Sequence, residues 1–147
     1  MDGSPLAHRG FHLTENRPWE DALPPDFSDL VGIAYHEWEP GRVSISLDMR
    51  PYHLNRNGVG HGGLILTLLD VTCGMAGNCR GEGLPSRKCV TISLTTNFIA
   101  SLKSGVRIRG EGVVDRSRRT IFFSTGRLFD EEGALLASAT GIYRYLD

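Results

Sequence analysis

The sequence is short of cysteine, and it has almost no net charge. Three cysteines are an odd number, and they include no C-x-x-C pair, so neither a disulfide framework nor a structural zinc site is indicated. This usage is typical of a reducing compartment, and we expect the cytoplasm. The formal net charge of −1 lacks the basic excess of nucleic-acid-binding proteins. We therefore expect no nucleic-acid partner.

Long apolar runs are also missing. No stretch reaches the ~20 apolar residues needed to cross a bilayer, and no apolar segment follows the opening Met1-Asp2-Gly3. We expect neither a membrane span nor a signal peptide. With 147 residues, of which 40% are hydrophobic and 22% charged, the composition is typical of one domain with one core.

Two common catalytic patterns are absent from the sequence. No serine stands in a Gly-x-Ser-x-Gly motif, so a Ser-His-Asp site is poorly supported. The spacing of His53 and His61 matches no helical metal-ligand motif, and no Glu or Cys completes a plausible ligand set. We therefore expect no bound metal.

The central feature of the sequence is a predicted long helix over about residues 61–79. Its apolar residues point to every side of a 3.6-residue period instead of forming one stripe. They stand at positions 64, 65, 66, 68, 69, 71, 75 and 76. Such a helix is expected to be buried on all sides, and a curved sheet is the simplest structure that could wrap it.

Asp70 lies in the middle of this apolar segment and is the first candidate catalytic residue. A carboxylate among apolar side chains has a large desolvation cost unless it is hydrogen-bonded, paired or protonated. Such surroundings can tune a carboxylate to act as a general base. The alternative is a structural acid that binds a neighbouring backbone group or Thr67, and the sequence leaves both interpretations open.

The start of the predicted helix is the second candidate site. Gly62 and Gly63, directly after His61, let another molecule approach the backbone closely. The first N–H groups of a helix have no acceptor within the helix, and the macrodipole favours negative charge beside them. We expect an anion or oxyanion site there.

The spacing between these two sites predicts a homodimer. Nine residues separate His61 from Asp70, so the two lie ~13.5 Å apart along the helix axis and, at ~100° per residue, on opposite sides. One chain cannot easily bring both to one substrate carbonyl. Two antiparallel copies of the helix about a two-fold axis can, because the N-terminus of one then lies beside the middle of the other.

The rest of the chain shows the two-residue alternation of β-strands. Strands are predicted at residues 30–39, 42–49, 89–100, 105–115, 119–129 and 134–145. Pro40-Gly41 marks a hairpin turn, and residues 50–60 form an irregular loop before the helix. Residues 1–29 are interpreted as an N-terminal arm, with a short helix near Trp19–Leu23, before one domain over residues 30–147. This order predicts an α+β fold, an antiparallel sheet wrapped around one long helix.

The motif of the helix start supports a family assignment. The run His61-Gly62-Gly63 has Asp70 nine residues on, Asn55 before it and Thr91 in the following strand. This combination resembles the hotdog-fold acyl-CoA thioesterases of the phenylacetate-thioesterase-like (4-hydroxybenzoyl-CoA thioesterase) superfamily, over roughly Leu30 to Leu146. The resemblance implies the hotdog fold for the predicted sheet and helix.

The resemblance also implies roles for individual residues. Gly62 donates its N–H to the thioester oxygen, Asn55 helps to bind that end, and His61 orients the loop. Asp70 of the partner chain activates water or attacks directly, so water attack and a covalent anhydride both fit. Thr91 of that same chain steadies the water. The family often has serine at this position, and the extra methyl group makes low activity one expectation.

Further residues are candidates for substrate binding. Gly63 belongs to the closely approachable helix start. Arg116, Arg118 and Arg119 form a basic cluster that is either a solvated turn or, as in acyl-CoA enzymes, a contact for the nucleotide phosphates.

The resulting functional prediction is a thioesterase that hydrolyses a small acyl- or aryl-CoA without a cofactor. The expected assembly is a homodimer with two shared sites, or a tetramer built from two such dimers. An acyl-CoA-binding or regulatory module on the same fold is the alternative. A hydratase on this fold ranks last, because it would require a different acid-base pair at the helix.

Overall fold

The described part of the chain, residues 26–146 of a computed structural model, contains a six-stranded antiparallel sheet and one long helix. Its elements are α1 (Phe27–Val31), β1 (Ala34–Glu39), β2 (Arg42–Asp48), a 3-10 turn (Pro51–His53), α2 (Gly62–Ala76), β3 (Cys89–Phe98), β4 (Arg107–Ser117), β5 (Ile121–Phe129) and β6 (Leu135–Tyr145). The strand order across the sheet is β1-β2-β4-β5-β6-β3. The predicted α+β architecture is therefore confirmed.

Helix α2 packs on one face of the sheet. The strands alternate as expected for a half-buried sheet, and in β2 the side chains of Val43, Ile45 and Leu47 are buried. Leu68 and Leu69 of α2 are fully buried in the same core. The hydrophobic core therefore lies between α2 and the sheet.

Two glycines bring the helix backbone directly onto the sheet. A Cβ atom at Gly112 of β4 would overlap the carbonyl group of Thr72. One at Gly126 of β5 would lie 2.8 Å from the sulfur of Cys73, too close for any side chain. Glycine is needed at these positions because the helix approaches closely, and the contact fixes α2 relative to β4 and β5.

One face of α2 remains open, so the expectation of a helix buried on all sides is wrong for the single chain. Leu66 is 39% exposed, and Thr67, Asp70 and Val71 are half-buried. The reason is geometric, since one sheet can cover only one side of a helix. Asp70 therefore lies on the open face and not inside the core.

The ends of α2 differ slightly from the prediction. His61 is the N-cap, and the helix ends at Ala76 instead of near residue 79. The N–H of Gly77 donates to the carbonyl of Gly74 at 3.1 Å, which tightens the last turn. The ring of Phe122 occupies the space that a side chain at position 77 would need.

The first predicted strand begins later than expected. Residues 30 and 31 belong to α1, whose first turn is closed by reciprocal hydrogen bonds between Asp26 and Asp29. Gly32, with φ of 97°, ends that helix, and β1 starts only at Ala34. The predicted short helix at Trp19–Leu23 lies outside the described residues. The division into an arm and a domain at residue 29 stays a prediction.

Strand β3 forms one edge of the sheet and pairs with β6. Three of its apolar residues are exposed: Val90 at 46%, Ile92 at 55% and Phe98 at 56%. An open edge strand with exposed apolar side chains is suited to pairing with another strand. Within residues 26–146, no helix is long and apolar enough to cross a membrane.

Candidate active site

His61 organises the start of α2. The Nδ1 atom of its ring accepts a hydrogen bond from the backbone N–H of Gly63 at 2.9 Å. The backbone N–H of His61 donates to the carbonyl of His53 at 2.9 Å. The ring therefore caps the helix, as the side chain of an N-cap residue usually does. Because Nδ1 accepts, a neutral ring has its proton on Nε2.

Gly62 presents an available backbone donor. The N–H of Gly63 donates to His61, but the N–H of Gly62 has no acceptor among residues 26–146. Gly62 is half-buried, and a Cβ atom there would stand 3.7 Å from the ring of Phe98. An unpaired N–H at a helix N-terminus is the donor that an oxyanion site requires.

Asn55 stabilises the loop before the helix. Its Oδ1 atom accepts from the backbone N–H of Asn57 at 2.8 Å and of Val59 at 3.3 Å. This is a turn-forming arrangement. The side-chain NH₂ has no acceptor within residues 26–146, so it is available to a ligand.

Asp70 is held by two hydroxyl groups of its own chain. Its Oδ1 atom accepts from Thr91 Oγ1 at 2.7 Å and from Tyr143 Oη at 2.9 Å. Tyr143 Oη also lies 3.1 Å from the backbone carbonyl oxygen of Asp70. The suggested partner Thr67 bonds elsewhere, since its hydroxyl donates to the carbonyl of Gly63 at 2.9 Å. No donor within residues 26–146 bonds to Asp70 Oδ2.

The sheet brings the two hydroxyl groups together. Thr91 on β3 and Tyr143 on β6 are directly paired in the register, so their side chains project to the same face. A bulge follows Thr91 and shifts the register of β3. Bulges often occur beside functional sites, where they redirect a side chain.

Tyr143 was missed by the sequence analysis. Its ring is 1% exposed and stacks on Phe122, with ring centroids 5.1 Å apart. Burial is the main cause that raises the pKa of its hydroxyl above the ordinary value, with the Cys73 thiol and the Asp70 carboxylate adding to it. The hydroxyl therefore stays protonated and donates. Strand alternation from Ala139 places Tyr143 on the inward face, so the sequence could have marked it as buried but not as a partner of Asp70.

A cleft of about 680 Å³ opens beside Asp70, Thr91 and Tyr143. The side chains of Trp38 and Met75 supply part of its apolar wall. A cleft of this size and character can hold a small apolar group next to a carboxylate.

The two candidate halves of the site stay apart within one chain. Among residues 26–146, no hydrogen bond joins Asn55, His61 or Gly62 to Asp70 or Thr91. Gly62 is the first residue of α2 and Asp70 lies eight residues further on, ~12 Å along the helix axis. One chain therefore presents the N–H of Gly62 and the carboxylate of Asp70 at different places along α2.

Comparison with known proteins decides the family. The family model of the thioesterase superfamily matches residues 57–137, more than half of the chain. The protein belongs to the thioesterase superfamily. An inferred esterase from Pseudomonas aeruginosa is 31% identical over 116 residues, which are 78% of this chain and 84% of the relative.

Solved structures show the same fold. A mutant of phenylacetic acid degradation protein PaaI from Thermus thermophilus aligns with a TM-score of 0.73 and 26% identity, covering 82% of this chain and 98% of that one. A Streptococcus mutans protein bound to acetyl-CoA aligns with a TM-score of 0.71 and 24% identity, covering 91% of this chain and 95% of that one. The predicted hotdog fold and the resemblance to phenylacetate-type thioesterases are confirmed.

The basic cluster of this protein lies at the β4–β5 connection. Arg116, Arg118 and Arg119 are exposed, and the N–H of Arg118 closes the turn by donating to the carbonyl of Ile121 at 2.8 Å. The carbonyl of Arg119 accepts from the guanidinium of Arg87 at 3.0 Å, and Arg87 lines the cleft. The cluster is thus connected to the rim of the cleft through Arg87.

His53 has a structural role in this protein. It is buried, its Nδ1 atom accepts from the N–H of Arg50 at 2.9 Å, and its Nε2 atom donates to the carbonyl of Val31 at 2.8 Å. Burial is the largest cause that lowers its pKa. Within residues 26–146, no group of three or more His, Cys, Asp or Glu side chains is placed to bind a metal.

Proposed function

We propose that this protein hydrolyses a small acyl- or aryl-CoA to the free acid and CoA, in the cytoplasm and without a cofactor. The observation that carries the proposal is Asp70, whose Oδ1 is bonded twice within the chain while Oδ2 is left available beside a cleft. Because the protein belongs to the thioesterase superfamily, we propose thioester hydrolysis as the reaction in which this carboxylate takes part. The acetyl-CoA bound by the Streptococcus mutans protein supports a CoA ester as the substrate class.

The helix start binds the reacting carbonyl in this proposal. The N–H of Gly62, which has no acceptor among residues 26–146, donates to the thioester oxygen. The NH₂ group of Asn55, which has no acceptor among these residues either, contacts the same end. Gly63 has no side chain, and this gives the substrate room to approach. Its own N–H is bonded to His61 and does not take part. A donor that strengthens its bond as the oxyanion forms contributes ~3–4 kcal/mol.

The acid comes from the second chain. Oδ2 of Asp70 of the partner subunit takes a proton from water as the water oxygen attacks the carbonyl carbon. The tetrahedral intermediate then collapses, its C–S bond breaks, and the CoA thiolate leaves as the thiol by taking the proton that Asp70 received from water. Attack by the carboxylate itself, through an anhydride that water hydrolyses, gives the same products. General base catalysis contributes typically ~10²–10⁴-fold.

Thr91 can hold the attacking water while it supports Asp70. Its hydroxyl hydrogen is used in the bond to Asp70 Oδ1, but its oxygen still has lone pairs that accept from water. The proposed role is therefore compatible with its contact to Asp70.

Two surfaces support a homodimer. The exposed edge of β3 is able to pair with a second copy, and the open face of α2 around Leu66 would then be covered by that copy. An antiparallel arrangement also brings the helix start of one chain to Asp70 of the other. A dimer of two such dimers extends the same proposal.

The nucleotide of CoA is proposed to meet the basic cluster. Arg116, Arg118 and Arg119 are exposed and connected to the cleft rim through Arg87, where phosphate groups could be paired.

The deciding experiment is a thiol-release assay across short, long and aromatic acyl-CoAs. Release of CoA that depends on Asp70 supports hydrolysis. Tight binding of an acyl-CoA without release of thiol would favour the non-catalytic binding module. Release by Asp70→Asn at the wild-type rate would mean that hydrolysis uses a different base.

A further inference from the structure

We propose that Tyr143 is a positioning residue that holds the Asp70 carboxylate so that Oδ2 is the oxygen that reacts. The inference rests on the proposed hydrolysis and assigns a role to a residue outside the family motif. It follows from the position of the Tyr143 hydroxyl, whose one hydrogen is shared between Asp70 Oδ1 at 2.9 Å and the Asp70 carbonyl oxygen at 3.1 Å.

The contacts fix the orientation of the carboxylate. An aspartate side chain can rotate about its last bond and so exchange its two oxygens. Here Thr91 and Tyr143 both donate to Oδ1, from two neighbouring strands of the sheet. Any intermediate rotation of the carboxylate would break both bonds, so one oxygen is held against the two hydroxyl groups and the other, here Oδ2, is turned away from them and available to water.

The ring of Tyr143 is itself held rigidly. It stacks on Phe122 with an angle of 14° between the rings. Gly74 of α2 and Gly141 of β6 lie against its two edges, and a Cβ atom at either position would crowd the ring. The hydroxyl is therefore aimed at Asp70 by packing, as a group that positions a catalytic side chain must be.

Tyr143→Phe tests the inference, because it removes the hydroxyl and keeps the ring that stacks on Phe122. We expect kcat for thiol release to fall about tenfold or more, with KM changed less than about twofold, since substrate binding does not use this hydroxyl. A role limited to stability would lower the melting temperature and leave kcat per folded molecule unchanged.

Tyr145→Phe is the matched control. Tyr145 is buried on the same strand, its ring lies 4.9 Å from that of Phe122, and its hydroxyl donates to the carbonyl of Gly77 at 3.0 Å. The control removes the same chemical group from the same surroundings, two residues away. We expect a comparable loss of stability and a change in kcat of less than about twofold.

The second readout is the effect of Tyr143→Phe in an Asp70→Asn background. A residue that acts through the carboxylate has no further effect on the residual rate once that carboxylate is replaced. An equal loss in both backgrounds would overturn the inference, and so would a Tyr143→Phe enzyme with wild-type kcat.

The assay of the wild-type protein separates this inference from the proposed function. If it releases no thiol from any acyl-CoA tested, hydrolysis is wrong and the inference falls with it. If it does release thiol in an Asp70-dependent way, only the results with Tyr143→Phe decide the role of Tyr143.

Discussion

Thr91 and Tyr143 stand opposite each other on β3 and β6, and their hydroxyl groups donate to the same oxygen of Asp70. Within residues 26–146, the carboxylate is thereby bonded on one oxygen only. Asp70 also lies on the open face of α2 and lines the cleft. Its other oxygen is therefore available to a further partner, which we propose to be the attacking water.

The first prediction concerns Asp70→Asn. The amide oxygen can still accept from Thr91 and Tyr143, so the fold should be kept, while the charge needed for a base is lost. We expect kcat to fall by ~10² or more. Thiol release and thermal unfolding of the purified variant give the two measurements.

Asp115→Asn is the control for that prediction. Asp115 is an exposed carboxylate that also accepts from a threonine, Thr125 Oγ1 at 2.6 Å, and it does not line the cleft. This control should keep the wild-type kcat. A near wild-type rate for Asp70→Asn would show that Asp70 is only structural.

The second prediction concerns the basic cluster. Replacing Arg116, Arg118 and Arg119 with Gln should raise KM for acyl-CoA and leave kcat little changed, because phosphate contacts contribute uniform binding. Added salt should raise the wild-type KM in the same direction. Steady-state kinetics with an acyl-CoA and with a short thioester lacking the nucleotide gives the comparison.

Arg127→Gln serves as the charge control, since Arg127 is exposed toward the end of β5 that is remote from the cluster and does not line the cleft. It should leave KM unchanged. Equal damage to both thioester substrates by the triple variant would indicate a folding defect and not a nucleotide contact.

The third prediction uses the buried His53. Burial lowers its pKa in the folded protein, so below the ordinary value of 6.5 the unfolded chain binds a proton more readily than the folded one. The stability that the neutral ring contributes is fully present above pH 6.5 and is lost as the pH falls towards the lower, folded-state pKa. Denaturant unfolding at a series of pH values from 7.5 to 5 should show this loss.

His53→Gln should lose that part of the pH dependence, although it will be less stable at neutral pH because the bonds to Val31 and Arg50 are disturbed. His36→Gln is the control, since His36 is exposed. If His53→Gln kept the full wild-type slope, the acid loss would have to come from other groups.

The sequence pattern predicts most of the architecture, and its errors have physical causes. The two-residue and 3.6-residue periods locate the strands and α2 because burial repeats with the same period. Leu30 and Val31 are apolar and resemble a strand start, but the pair Asp26 and Asp29 caps a helix there instead. A local apolar count cannot see such a capping interaction.

The candidate site was also predicted only in part from the sequence. The motif identifies Asp70 and Thr91, and the structure brings them together. The apolar pattern of α2 cannot distinguish coverage by the sheet from coverage by a second chain, so it misses the open face around Leu66. Tyr143 was missed because its partnership with Asp70 depends on the register of β3 against β6, a long-range feature absent from local sequence.

The last prediction tests whether each active site is shared between two chains. It rests on the ~13.5 Å and half-turn offset between the helix start and Asp70. Asp70→Ala should be inactive alone, and so should the double variant Asn55→Ala, Gly62→Pro. Proline is tolerated at the first position of a helix, so this variant should remove the Gly62 donor without breaking α2.

Mixing the two inactive proteins should restore activity. In a mixed dimer one site receives both lesions and the other receives none, because each site takes its helix start from one chain and its acid from the other. With free exchange about half of the dimers are mixed, and each has one intact site of two, so recovery should approach roughly a quarter of wild type. Each variant refolded alone is the control for the co-refolded mixture in the thiol-release assay. If subunit exchange is demonstrated and no activity returns, each site must be built within one chain, and the antiparallel arrangement of α2 would have to be abandoned.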